Sequence, residues 1–234
     1  MDKIDSKFLV RQDILGELQD KIVHQFDLRS APLFHATSST TIKFLLACGY
    51  IPGSTYEREG LISKGDIFVF PSPYFNTARK LGKSFKYFIF GDDFDEIESA
   101  LRGYAGMSEI FFNLINYLHV DLSNQFLSDL IIEIDNANEF NYIDRKYYLS
   151  NGIIELLSYY CNVEAGQIVD YISDSVGNGY ILGLDDELLK DTEVTRGDDV
   201  YDLRIKLPQN GLTVDYIKWI MPLGERELNL LTKP

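Results

Sequence analysis

His35 closes a short apolar run, Leu33-Phe34-His35, and is followed at once by Ala36, Thr37 and Ser38. That order places an imidazole, a backbone turn of small residues and two hydroxyls on one rim. A second segment, Gly65-Asp66-Ile67-Phe68-Val69-Phe70-Pro71-Ser72-Pro73-Tyr74-Phe75-Asn76-Thr77-Ala78-Arg79, adds an aromatic strand, a turn punctuated by prolines and the start of a helix. It is suited to close the facing wall of the same pocket.

The elements that must hold these residues are read from periodicity. Phe8, Leu9, Ile14, Leu15, Leu18, Ile22 and Val23 recur at steps of three and four between about Asp5 and Phe26, the stripe of a helix buried on one side. Leu33 to His35 reads as a buried strand, Ser38-Ser39-Thr40 as an N-cap cluster, and Ile42 to Cys48 as a helix that Gly49 stops. Residues Ile51 to Ser63 read as a loop, Ile67 to Phe70 as a strand, Asn76 to Leu81 as a helix start and Phe85 to Phe90 as a further strand. Helical periods then run from about Asp95 to Ser175, interrupted at Leu130 to Ile134, with no repeat and no low-complexity linker. Strand texture returns at Tyr180 to Leu184, Tyr201 to Leu207 and Lys218 to Met221, with a helical turn at Val214 to Ile217 after the Asn210-Gly211 turn. In the second of these strands Asp202, Arg204 and Lys206 alternate with Tyr201, Leu203, Ile205 and Leu207, as in a strand buried on one face. The expected organisation is α+β, one domain over residues 1–234 with a helical insertion at about 95–175.

Composition narrows the classes of function. With 22 Lys and Arg against 36 Asp and Glu, the net charge is -14, which opposes a nonspecific grip on nucleic acid, since phosphate neutralisation needs an excess of cations. Arg79, Lys80, Lys83 and Lys86 form the one local basic patch, read either as an edge of the pocket or as a solvated helix face. Cys48 and Cys161 are the two cysteines, too few for a disulfide framework or a cysteine metal site, and fit a reducing compartment. The first residues lack a secretory pattern and no apolar run is long enough to span a bilayer, so a cytoplasmic protein without a membrane partner is expected. The histidines are His24, His35 and His119, with no metal-ligand spacing, so no metal is expected. Asp92-Asp93-Phe94-Asp95-Glu96 reads as an acidic helix start favoured by the helix dipole. The glycine motifs of dinucleotide-binding, triphosphatase and serine-hydrolase folds are absent.

The His35-Ala36-Thr37-Ser38 element resembles the His-Gly-Thr-Ser element of the ADP-ribosyltransferase superfamily, in its diphtheria-toxin-like and poly-ADP-ribose-polymerase-like branch of His-Tyr-Glu type. The resemblance implies a split antiparallel sheet with an NAD cleft. His35 would bond a ribose of NAD, and the backbone of Ala36, where the family has Gly, would hold the nicotinamide amide, with Thr37 and Ser38 completing the rim. Phe68-Val69-Phe70 and Asn76-Thr77-Ala78 are similar to the family's aromatic strand and downstream Ser-Ala. Thr77 then matches the hydroxyl on the carboxamide, and Phe68, Tyr74 or Phe75 supplies a ring face for the cationic pyridinium. Residues 198–218 resemble the acidic strand and following turn that carry the family's glutamate. Asp202 falls near that position, and Glu193 is the other candidate. A second alignment matches Phe70-Pro71-Ser72 to the Ser-Thr-Ser strand of the arginine-specific toxins, but only Ser72 fits. The RNA 2'-phosphotransferase branch is disfavoured because no late His and Arg set is present.

What this implies is NAD-dependent mono-ADP-ribosyl transfer by a toxin or effector, NAD serving as substrate and a protein or nucleic acid as acceptor, with a cognate antitoxin as a possible partner. The carboxylate would stabilise positive charge developing on the ribose as nicotinamide leaves. The alternative is a catalytically inactive relative that binds ADP-ribose or a partner through the same cleft.

Overall fold

The computed structural model describes residues 10–53, 65–75, 97–106, 108–109, 158–159, 164, 166, 178–190, 192–196, 203–207 and 211–233. The expected elements at 76–81, 85–90 and 130–134, the basic patch at 79–86, the acidic run at 92–96 and most of the helical insertion lie outside these residues.

The described chain is α+β, built on an antiparallel sheet. Strands β1 (Leu33–Thr37), β3 (Asp66–Pro71), β4 (Tyr180–Leu184), β5 (Glu193–Arg196), β6 (Leu203–Lys206) and β8 (Ile217–Pro222) lie in the order β5-β6-β3-β1-β4-β8. A small second sheet pairs β2 (Tyr50–Ile51) with β7 (Leu212–Thr213). Three helices are assigned among the described residues with defined ends: α1 (Gln12–Gln19), α2 (Ser39–Cys48) and α3 (Glu225–Thr232). Residues 97–106 are also helical.

Side-chain alternation divides the sheet into two cores. On one face Leu33, Ile67, Val69, Tyr180, Leu182, Leu184, Ile205 and Ile220 pack with Ile14, Leu15 and Leu18 of α1 and Ile42, Leu45 and Leu46 of α2. On the other, Phe34, Phe70, Ile181, Trp219 and Met221 pack with Leu28, Ile97 and Leu101. Rings of Phe26, Phe34 and Trp219 meet there at 5.0 to 6.0 Å between centroids. Burying a residue such as Phe34 contributes roughly 1.5–3 kcal/mol, so this strand is held firmly from both sides. Gly183, opposite Phe34 in β4, is required: a Cβ there would lie 2.2 Å from the Trp219 indole.

Local signals set the ends of α2. Ser38 has extended backbone and its Oγ accepts the Thr41 N–H, satisfying an otherwise orphaned donor. Gly49 closes the helix with φ 85°, a left-handed conformation that disfavours a Cβ. The first helix is shorter than its stripe suggests, ending at Gln19 instead of running to about Phe26. Beyond it the backbone is used by β8: the Val23 N–H donates to Ile220 O at 3.0 Å and the Ile220 N–H to Lys21 O at 2.9 Å. Ile22 and Val23 therefore cover a sheet edge, where the same apolar residues gain backbone pairing that a longer helix would forgo.

The strand expected at Tyr201 to Leu207 is assigned from Leu203, and its alternation needs one correction. Ile205 is fully buried and Lys206 exposed, as expected, but Arg204 is buried too, at 7% exposure. β6 is an inner strand, in which Arg204 stands across from Phe68 of β3 and Thr195 of β5. The Val214–Tyr216 segment forms the expected helical turn, of 3-10 type.

Candidate functional site

β1 is bonded unequally on its two sides. Toward β4 all five residues pair, from Leu33 with Leu184 to Thr37 with Tyr180. Toward β3 only Leu33 with Pro71 and Phe34 with Phe70 pair, and the ladder then stops. β3 meanwhile turns to β6, pairing Asp66, Ile67, Phe68 and Val69 with Lys206, Ile205, Arg204 and Leu203. The two halves of the sheet thus part at His35.

His35 bridges the opening. Its Nδ1 lies 2.7 Å from the carbonyl oxygen of Phe68. A carbonyl can only accept, so Nδ1 carries the proton and donates. Burial pushes the His35 pKa below its ordinary value, outweighing the opposing effect of that hydrogen bond. The ring is therefore neutral near pH 7, and Nε2 presents a lone pair as an acceptor. A neutral, tautomer-fixed imidazole that is only partly covered can take a hydrogen bond from a hydroxyl of a bound molecule.

The rest of the expected rim is nearby but differently employed. Ala36 is a partly exposed strand residue, paired with Ile181. An extended position needs no glycine, so Ala in place of Gly imposes no backbone strain. Thr37 is buried at 4% exposure, and Ser38 is wholly buried with its hydroxyl committed to the α2 cap. The hydrogen-bonding capacity of this turn toward a ligand lies mainly in His35 and the backbone.

Phe68 meets His35 through its carbonyl, while strand alternation puts its ring on the face opposite Ile67 and Val69. Arg204 stands directly across from it in β6. Tyr74 lies elsewhere: it follows Pro71, the partner of Leu33, so it sits past the end of β1 remote from Thr37. It is 44% exposed, and the Arg29 guanidinium covers its ring at 4.9 Å. Ser72 is fully buried and donates to Leu28 O at 2.5 Å, which ties this turn to the segment before β1.

Thr77 and Asp202 lie outside the described residues. Glu193 opens β5, its Cα opposite Lys206, which is in turn opposite Asp66. Three strand intervals separate β5 from β1, about 14 Å at the usual spacing. Leu203, the residue after Asp202 in the chain, pairs with Val69, which the β1–β3 register sets level with His35. Among the described residues no group of three acidic, histidine or cysteine side chains could hold a metal ion, and no helix is long and apolar enough to cross a membrane.

A polar cluster that sequence reasoning missed surrounds the start of α2. Glu109 and Glu227 are both fully buried. Glu109 Oε1 accepts a hydrogen bond from the Ser39 N–H, and Ser39 Oγ donates to Glu227 Oε1 at 3.1 Å. Arg226, which is largely exposed, pairs with Glu109 Oε2 at 3.3 Å and with Glu227 Oε1 at 2.8 Å. The Tyr180 hydroxyl donates to the backbone oxygen of Glu227 at 2.8 Å, and burial beside Glu227 and Glu109 pushes its pKa far up, so it stays protonated. Two helix N-termini, those of α2 and α3, face these carboxylates and offset part of the cost of burying them.

Comparison of the chain with family models, with curated proteins and with solved structures finds no match.

Proposed function

We propose that the chain is an NAD-dependent mono-ADP-ribosyltransferase of the His-Tyr-Glu type, with the parting of the sheet at His35 as its NAD cleft. The observation that carries the reading is the pairing of that parting with a neutral His35 whose Nδ1 is held by Phe68 O and whose Nε2 is an acceptor. Nε2 takes a ribose hydroxyl, and the backbone around Ala36 receives the nicotinamide carboxamide. Phe68 holds the imidazole through its carbonyl, while its ring lies on the opposite face from Ile67 and Val69; Tyr74 serves a more distant part of the dinucleotide. Thr77 contacts the carboxamide, as the family resemblance implies.

Of the two carboxylates the register favours Asp202 over Glu193, because its chain neighbour Leu203 stands level with His35 whereas Glu193 is level with Asp66 on a strand further out. A carboxylate there stabilises positive charge that develops on the ribose as its bond to nicotinamide breaks. Nicotinamide leaves with the bonding electrons, and the acceptor's nucleophile bonds the same carbon and gives up a proton. The net charge of -14 favours a protein acceptor over a nucleic acid.

Nicotinamide release from NAD tests this, measured with the wild type, His35→Ala, Asp202→Ala and Glu193→Ala, with lysate, RNA and DNA supplied as acceptors. Release by the wild type that falls by about 10²-fold or more in His35→Ala and Asp202→Ala is the expected outcome. Saturable NAD or ADP-ribose binding without release selects the inactive binding module, a reading favoured by the three strand intervals between Glu193 and β1. Neither release nor binding in folded protein rejects both.

A further inference from the structure

We propose that Glu109 and Glu227 are positioning residues for the His35–Ser38 turn, a buried clamp through which the segment around residue 109 and the C-terminal helix fix the geometry of the cleft. As a statement about ligand binding this rests on the NAD reading above. As a statement about the turn it rests on the geometry alone.

The first helical residue of α2, Ser39, is held twice: its backbone N–H by Glu109 and its hydroxyl by Glu227. The two acids come from positions 70 and 188 residues away in the chain, and neither is exposed to solvent. Ser39 is also continuous with the residues that form the rim. Ser38 caps the helix through Thr41, and Thr37 is the last residue of β1. A shift at Ser39 therefore passes directly into the peptide groups at Ala36 and Thr37. The β4 ladder fixes these residues on one side, but their β3 side has no backbone pairing. The clamp supplies the missing restraint at the end of β1 where the ladder does not.

Arg226 supplies one positive charge against the two carboxylates, and Glu227 Oε2 is buried without a hydrogen-bond partner among the described residues. Arg226 touches both carboxylates from the surface, and Tyr180 anchors the backbone of Glu227 from below through its protonated hydroxyl. Placing charged groups this deeply is costly unless each is paired and hydrogen-bonded. Ser38 caps α2 only at Thr41, so the Ser39 N–H is a second orphaned donor, and Glu109 satisfies it. The additional donors and acceptors converge on one residue beside the cleft.

The experiment uses the full chain with Glu109→Ala, Glu109→Gln and Ser39→Ala, and reads three quantities: amide exchange over residues 36–41, NAD affinity and melting temperature. Glu109→Ala is expected to speed exchange at Ser39 and to weaken NAD binding about tenfold to a hundredfold, as small displacements of positioned groups do. Glu109→Gln keeps an oxygen acceptor for the Ser39 N–H and is expected to recover most of the loss in affinity. Unchanged exchange in both Glu109→Ala and Ser39→Ala overturns the clamp. So does a lowered melting temperature with unchanged NAD affinity in folded protein, because that is the signature of a merely structural pair. If Glu109→Ala does not fold, Ser39→Ala, which removes the hydroxyl with its bond to Glu227 and its interaction with Tyr180, decides the matter by the same two readouts. Wild type that binds no NAD, together with faster exchange in the variants, rejects the NAD reading and leaves the clamp on the turn supported.

Discussion

The two sides of β1 are made of the same five residues and behave as different structures. Toward β4 the strand is laddered along its whole length and sealed by Trp219 against Gly183. Toward β3 it is bonded at Leu33 and Phe34 and then open, with the His35 side chain standing where the ladder would continue. A strand fixed on one edge can hold groups on its other edge without letting them drift, and this is how a rigid element presents a binding surface. The contrast teaches that the His35 backbone is placed by β4 and the two cores, while β3 holds its imidazole through Phe68 O.

That view orders the effects of substitution. Phe34→Ala strikes the closed part, where the ring is wholly buried beside Phe26 and Trp219, and is expected to cost about 3–5 kcal/mol in denaturant titrations. Gly183→Ala forces a Cβ into the Trp219 indole and should cost about 1–3 kcal/mol, seen in the same measurement. If either change were tolerated as well as a surface substitution, the closed edge would not be the anchor. Ser38→Ala removes the cap at the boundary between the two parts and should cost about 1 kcal/mol. At the open edge His35→Ala loses one partly covered hydrogen bond, for which about 0.5–1.5 kcal/mol is the expected cost, well short of Phe34→Ala. A larger loss for His35 than for Phe34 would reverse the comparison.

The same division explains what could be read in the sequence. The Leu33-Phe34-His35 run, the Ser38 cap and the Gly49 stop are local signals, and strand, helix and turn follow them closely. The length of α1 did not follow from its stripe because Ile22 and Val23 find backbone partners in β8, nearly two hundred residues on. Burial of Arg204 is a tertiary outcome that alternation along β6 cannot report. Glu109 and Glu227 were the least legible of all. Glu227 belongs to Glu225-Arg226-Glu227, which by composition reads as a solvated helix start, and the partners that bury it are remote in the chain.

The pH dependence of stability probes the open edge most finely. Burial lowers the His35 pKa from its usual 6.5, so between the folded and unfolded values the unfolded chain binds more protons than the native one. Stability therefore rises with pH through this window, is fully present above about 6.5, and is lost as pH falls through the folded value. His35→Gln, which cannot titrate, should flatten that part of the profile while leaving the carboxylate-driven acid limb in place. Comparing the two proteins by chemical denaturation from neutral pH into mild acid isolates the difference. Imidazole nitrogen NMR of the wild type adds the tautomer, with Nδ1 protonated and Nε2 bare. A His35-dependent gain of stability on acidification would mean that the folded ring is a cation and Nε2 a donor. An acceptor at the parted edge of β1, on which the reading of the cleft depends, would then be lost.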